Sequence, residues 1–274
     1  MGASMSAEEE ESMKIRRKVV SVILPLALVL LFAAPTPAHA LGDWIGAEGA
    51  IWHNGESGSA AIDGDVFGGT SVDLQDTLDL DRNDNSKMGR VWFHWGRSRL
   101  FLDYFDASRK GSTTLSQSFF FNDTLYASGE DVASRLDVKL LQAQYRFTLA
   151  DLKLADVSLG FVVNQAKVNM QLDGSVSGRT TFDKSVPYPT LAAAVTLKPV
   201  PGFHIRVEAN GVRLNVGGTR VNVLDARVQA EMYVAHVLGF FAGYRTFHMA
   251  ADDKDFGSVD NTFKGPYAGL GVKF

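Results

Sequence analysis

The chain closes on Tyr267-Ala268-Gly269-Leu270-Gly271-Val272-Lys273-Phe274, and these eight residues split into two rows of opposite character. Ala268, Leu270, Val272 and Phe274 form an apolar row, while Tyr267, Gly269, Gly271 and Lys273 form a row of small and polar residues. A two-residue period belongs to a β-strand, whose successive side chains point to opposite faces. One greasy face and one polar face suit a strand with lipid on one side and a polar interior on the other. Any half-buried edge strand alternates as well, so the meaning of the octapeptide rests on the rest of the chain.

The same period recurs backwards through the sequence. In 239–250 and 188–199 it is weak; in 221–236, Leu224, Ala226, Val228, Ala230, Met232 and Val234 oppose Asp225, Arg227, Gln229, Glu231 and Tyr233. In 203–214, Phe203, Ile205, Val207 and Ala209 alternate with His204, Arg206, Glu208 and Asn210. In 156–170, Val157, Leu159, Phe161 and Val163 oppose Ser158, Gly160 and Asn164. Segments 43–54, 87–95 and 99–108 carry shorter versions. In 133–149, Leu136, Val138 and Leu140 oppose Arg135, Asp137 and Lys139; beyond them Leu141, Ala143, Tyr145, Phe147 and Leu149 oppose Gln142, Gln144, Arg146 and Thr148. The apolar row changes parity at Leu140-Leu141, which predicts a β-bulge there. With 263–274 the count is ten strands; merging weak strands gives eight, and a further pair inside the first long link gives twelve.

The links alternate in length. Short ones follow Trp95, Leu149, Val200 and His236; most of the others, 55–86, 109–132, 171–187 and 251–262, are long, and only 215–220 is brief. Short turns at one end, long loops at the other and an even strand number describe an up-and-down membrane barrel. No run beyond residue 40 approaches the ~20 apolar residues of a transmembrane helix, so a membrane role requires strands.

At the N-terminus, Lys14, Arg16, Arg17 and Lys18 precede an almost wholly apolar stretch from Val19 to Phe32, and Ala38-His39-Ala40 has the small-x-small form of a cleavage site. This resembles a secretory signal peptide over residues 1–40, with 41–274 as the barrel domain. Glu8 to Glu11 are out of place ahead of a basic region, which puts the start at Met13. The chain has no cysteine, which excludes a lipoprotein anchor, disulfides and thiolate metal sites. Residues 1–40 hold four basic and four acidic residues, so the remainder keeps the net charge of −4, and no nucleic-acid partner is expected.

Tyr267, Gly269, Val272 and Phe274 fall at the spacing of the C-terminal assembly signal of bacterial outer-membrane β-barrel proteins, a porin-like superfamily that the chain resembles from its leader to its last strand. The resemblance implies an all-β, antiparallel transmembrane β-barrel with short periplasmic turns and long extracellular loops. It implies export through the secretory pathway of a Gram-negative cell and integration into the outer membrane. Lipid and lipopolysaccharide would surround the barrel, with the assembly machinery and periplasmic chaperones as transient partners. The competing reading is a soluble barrel, in which the same rows are turned inside out and the apolar face is the core. Against it stand the mixed charges of the polar row and aromatics near strand ends, where interfacial girdles belong: Trp44, Trp52, Trp92, Trp95, Tyr104, Tyr145, Phe203, Phe240 and Tyr244.

With the polar row inward, the lumen receives Glu48, Arg90, Arg99, Asp103, Arg146, Arg206, Glu208, Asp225, Arg227, Glu231, Arg245 and Lys273. Charges of both signs in a narrow barrel are costly unpaired, so an ion-pair network is expected, either as a plug or as the lining of a narrow pore. A wide diffusion porin needs about 16 strands. The predicted function is therefore a structural or narrow-pore barrel, and the alternative is an adhesin-like or receptor-like barrel that binds through its loops.

The loops add little chemistry. Asp79-x-Asp81-x-Asn83 resembles the start of a calcium loop, but Asp84 stands where that motif needs Gly and Arg90 where it needs Glu. A solvated loop with a short helical turn is expected there instead. Phe119, Phe120 and Phe121 predict either a strand extension packed on a neighbouring loop or an exposed binding patch. A barrel-mounted lipid or peptide hydrolase would need a base such as His53, His94, His204 or His248 beside a nucleophile; His248 with Asp252 and Asp253 comes nearest, and no serine stands at a recognisable spacing. No enzymatic activity, metal or cofactor is expected.

Overall fold

A computed structural model describes residues 44–64, 68–216, 219–234, 237–253 and 257–274, with the side chain at 216 left out. The expected signal segment, 1–40 with its start at Met13, lies outside the described residues.

Among the described residues thirteen strands follow in order: β1 (Ile45–Ile62), β2 (Val72–Asp73), β3 (Asn83–Trp95), β4 (Ser98–Thr114), β5 (Phe119–Phe121), β6 (Thr124–Tyr126), β7 (Asp131–Asp151), β8 (Ala155–Gly174), β9 (Gly178–Val200), β10 (Phe203–Val216), β11 (Thr219–Val234), β12 (Leu238–Asp253) and β13 (Gly257–Lys273). Ten of them, all but β2, β5 and β6, join antiparallel to their neighbours, and β13 pairs back onto β1 to close a barrel. Closure runs from Gly46↔Lys273 to Trp52↔Tyr267 and resumes from Gly55↔Lys264 to Ile62↔Gly257. The octapeptide that ends the sequence is thus the seam of the barrel, and ring closure leaves no unpaired edge there.

The strands outrun the segments expected from periodicity. The spans 171–187 and 251–262 are mostly strand among the described residues, and only residues 175–177 lie between β8 and β9. Only 63–82 and 115–130 remain long connections, and both carry short strands of their own. Past the Leu191↔Gly211 pair, β9 is laddered to β8 alone, and Pro187 and Pro189 lie in that part. A residue without an N–H is tolerated on such an edge.

No bulge exists at Leu140-Leu141. The β7 ladder runs unbroken through that point, with Phe105 opposite Leu140 and Tyr104 opposite Leu141, and its register shifts only between Thr148 and Ala150. Parity of the apolar row changes because the surroundings change. Below this level Leu141, Phe147 and Leu149 point outward and are exposed, while Gln142, Gln144 and Arg146 are buried inside. Above it Leu140, Val138 and Leu136 are the buried inner row, and Lys139, Asp137 and Arg135 face out. Neighbouring strands turn over at the same height: on β4, Leu100, Leu102 and Tyr104 are the outer row below, while Phe105 and Ala107 are the inner row above.

The barrel is therefore two barrels end to end on one set of strands. The half next to the short turns is apolar outside and polar inside, and the half next to the long loops is the reverse. From Leu141 to Leu149 the outer apolar row of β7 spans about the 9–11 residues that cross a bilayer as a tilted strand. β9, at 23 residues, is more than twice that length, so its upper part stands clear of the hydrocarbon.

Inside the upper half, Trp52, Phe105, Phe247 and Phe263 form an edge-to-face and stacked aromatic cluster with centroids 5.4 to 6.5 Å apart. Trp52 is fully buried and donates from Nε1 to the Gly265 carbonyl at 3.0 Å. It is core, not an interfacial girdle residue, and Trp92 likewise lies on the inner face of β3, over Gly46. The first long connection folds into the top of this core through Leu74, Leu78 and Leu80, all buried. Its turn is helical, with Thr77 N–H donating to the Asp73 carbonyl (3.1 Å) and Asp79 N–H to that of Gln75 (3.1 Å). The Asp73 carboxylate caps it by accepting from the N–H groups of Gln75 (2.9 Å) and Asp76 (2.6 Å).

Candidate functional site

The lumen holds the densest chemistry, in three layers. In the middle layer, strands β1, β3, β4, β7, β10, β11 and β12 bring five arginines against five carboxylates. Arg90 donates to Asp103 from Nε (2.6 Å) and Nη2 (3.2 Å), and to Glu208 from Nη1 (3.1 Å) and Nη2 (2.9 Å). Glu208 also accepts from Arg146 Nη2 at 2.7 Å and from Arg227 Nε. Arg227 reaches Asp103 at 3.3 Å, and Arg206 lies 3.7 Å from Glu208, 3.5 Å from Glu48 and in hydrogen bond to Glu231. Arg245 grips Asp225 through two bonds of 2.9 and 2.8 Å.

Neutral groups complete the layer. Asn210 bonds Asp225 at 3.4 Å, Thr190 bonds Asn210 at 3.2 Å, Asn164 bonds Thr190 at 3.1 Å, and Gln142 bonds Asn164 at 2.8 Å. Tyr267 donates to Gln229 (2.9 Å), which donates to Glu231 (3.0 Å). Phe101 lies under two guanidiniums, with Arg146 at 3.9 Å and Arg90 at 4.6 Å from its centroid, so cation–π contact adds to the ion pairs. A charge removed from water survives only when it is paired and hydrogen-bonded, and here each arginine has at least one carboxylate, although the buried Arg146 Nε has no hydrogen-bond partner.

Above, one ionic group interrupts the apolar core: Arg109 Nε stands 3.3 Å from Glu56 Oε2, Asn261 donates to Glu56 Oε1 at 2.6 Å, and Arg109 also bonds Asn54. Below, at the short-turn end, the lumen opens into a cavity of about 400 Å³ lined by Arg99, Asp156, Lys198, His204, Lys273 and Trp92 among others. Asp156, 1% exposed, lies 3.4 Å from Arg99 and 3.2 Å from Lys198. Lys273 Nζ rests 4.1 Å above the Tyr233 ring.

All twelve charged residues expected inside lie on the inner face. Ten of them meet in the middle layer, while Arg99 and Lys273 line the lower cavity. In the terminal strand Tyr267 points inward, whereas Val272 and Phe274, the latter 62% exposed, point outward. Asp156, Lys198, Glu56 and Arg109 were missed. Asp156 and Lys198 sit beside turns, where the sequence pattern gives out, and Glu56 and Arg109 fall in spans read as loops.

The loop end is an ordered cap. Phe119 and Phe121 are buried, and Phe119 stacks on Tyr126 at 5.5 Å in the β5–β6 hairpin. Glu130 clasps the β8–β9 turn. Its carboxylate accepts from the N–H groups of Val176 (2.8 Å), Ser177 (2.6 Å) and Ala127 (3.2 Å) and from the Ser177 hydroxyl (2.8 Å). These donors hold its pKa down at about 2. His248 bonds Thr262 at 3.0 Å and stands 3.6 Å from Asp260; His53 bonds Asn85 at 3.1 Å.

No protein-family model matches the chain, and no curated protein matches it. Solved structures resemble it in fold. The outer membrane protease OmpT from Escherichia coli superposes with a TM-score of 0.55 at 11% identity, over 87% of this chain and 99% of that one. The translocator domain of the autotransporter NalP from Neisseria meningitidis gives 0.41 at 11% identity, over 96% and 98%. The attachment invasion locus protein Ail of Yersinia pestis gives 0.35 at 11% identity, over 84% and 99%. At such identities the superposition speaks for architecture alone. With its ten antiparallel strands, closed β13-to-β1 seam and apolar outer belt, the chain has the fold of the outer-membrane β-barrel proteins.

Proposed function

We propose that this protein is an integral outer-membrane barrel with a structural, non-conducting role, exported through the secretory pathway and seated in lipid and lipopolysaccharide by its lower half. The observation that carries the reading is the middle layer of the lumen, where five arginines and five carboxylates bond to one another from wall to wall. Ions gain nothing by entering a layer whose charges already satisfy each other, and the apolar core above it offers no water-filled path. Conductance of the purified barrel in a planar bilayer tests this: silence at moderate voltage is expected, and reproducible single-channel steps would revive the narrow-pore reading.

A second reading, recognition of a surface partner through the loop end, is favoured by the hydrogen-bonded and stacked cap that Glu130 and the β5–β6 hairpin form on the protruding half. Binding of the protein to host-cell or matrix surfaces that is lost when residues 115–130 are replaced would support it. We assign the barrel no catalytic activity; assembly machinery and periplasmic chaperones enter as transient partners.

A further inference from the structure

One stretch of the barrel wall is unsealed. The β9–β10 ladder ends at Leu191↔Gly211, although β9 begins at Gly178 and β10 runs on to Val216, so among the described residues the two facing edges above that pair have no strand opposite them. The side chains behind this seam report the gap. Val186 and Leu214 are on the inner face, since Val186 pairs with buried Ala166 and Leu214 with Val221, which packs on the core. Yet they are 42% and 38% exposed, while inner residues away from the seam, such as Val138, Met170 and Phe247, are buried. The sequence keeps strands out of this gap. Pro187 and Pro189 lie on the free edge of β9 and offer no N–H, and Lys184, opposite Val168, points inward. Proline and inward-pointing charge are the devices by which sheets refuse edge pairing, so an added strand is a poor occupant.

The seam is continuous with the apolar belt instead. At its foot Leu191, 74% exposed, and Leu224, opposite Gly211, are outward, and the exposed outer row of β9 climbs through Pro189 to Pro187. On β10 and β11 the outer row turns polar just above, at Arg213 and Asn222. The open edges thus begin where the belt ends, so their unpaired backbone groups meet water and not hydrocarbon. Inside, Met170, Phe182, Met249 and Val259 border a residual void of about 20 Å³, and thioether side chains repack readily around a guest. We propose that an acyl chain of a surrounding lipid lodges in this seam, entering from the belt at Leu191 and lying on Val186, Val212 and Leu214. The proposal rests on the seating of the lower half in the membrane. The lipid is held from the side, so the ionic layer stays sealed.

The test is fluorescence quenching in vesicles of phospholipid brominated on its acyl chains, with iodide as the aqueous quencher. The chain has no cysteine, so bimane is attached singly to Val186→Cys, Leu214→Cys, Ala143→Cys in the belt, or Ser112→Cys on the outer face of the upper half. Brominated chains are expected to quench the two seam adducts as they quench the belt adduct, and iodide to quench only the Ser112→Cys adduct. Adding Val186→Asp to the Leu214→Cys protein sets a charge in the path of the chain and should cut occupancy, and with it the quenching, by ~10-fold, about 1.4 kcal/mol. Heat-dependent gel mobility reports whether each variant has folded. If the Ala143→Cys adduct escapes the brominated chains, the membrane seating fails and the proposal with it. If that adduct is quenched while the seam adducts answer to iodide, or to neither quencher, the proposal alone is overturned, with water or a protein segment in the seam. Unchanged quenching in folded Val186→Asp overturns it as well.

Discussion

Glu208 lies among four guanidiniums, those of Arg90, Arg146, Arg206 and Arg227, and each is itself shielded from water. Neutralising that one carboxylate leaves several buried cations short of a counter-charge. Glu208→Gln should therefore destabilise the barrel by about 3–5 kcal/mol, the usual cost of breaking a buried ion pair from one side. Urea titration of the folded protein in vesicles would read it, and a loss below about 1 kcal/mol would mean the layer is wetter than its geometry implies. Glu130 makes a pH prediction of the opposite kind. Its folded pKa of about 2 is below the ordinary 4.5, so its clasp on the β8–β9 turn is fully present above pH 4.5 and is lost as pH falls towards 2. Limited acid-protease cleavage near Val176 should rise across that window, and Glu130→Gln should show raised cleavage at every pH. Glu208 was legible in the sequence because its strand alternates cleanly. The clasp was not, because Glu130 meets Val176 and Ser177 only after two strands have folded back on each other.

Strand β4 shows how far an element can be read from its period. Leu102 and Ser112 share its outer face, ten residues apart, and nothing in the alternation distinguishes their surroundings. Leu102 lies within the apolar belt, opposite Val91 and Ala143; Ser112 lies in the half that is polar outside. Leu102→Arg should cost about 2–4 kcal/mol, as for a cation on the lipid face near the bilayer midplane, and Ser112→Arg close to nothing. Folding equilibria in bilayers would compare them, and equal costs would refute the division of the barrel into two media. The parity change at Leu140-Leu141 was visible in the sequence, yet a bulge was the wrong cause. Period reports that two faces differ, and a change of medium shifts the apolar row as readily as an inserted residue does.

For the whole molecule, the division sets its seat in the membrane. The chain has no cysteine, so single introduced thiols report depth without background. In bilayers, Arg135→Cys should react with a water-soluble maleimide and Ala143→Cys should not, although both lie on the outer face of β7. Protection of both would place the membrane higher than the apolar belt does. The sequence alone determined the architecture: ten alternating segments, an even number of crossings and a last strand ending on an outward aromatic leave few solutions other than a barrel. Only the tertiary structure decided what the barrel contains. The register fixes which residues share a height, and height decides whether an inward residue meets the ionic layer, the lower cavity or the apolar core. A one-dimensional pattern records which residues share a face but not what that face touches, and that is why the membrane reading and the soluble reading each describe one half of this protein.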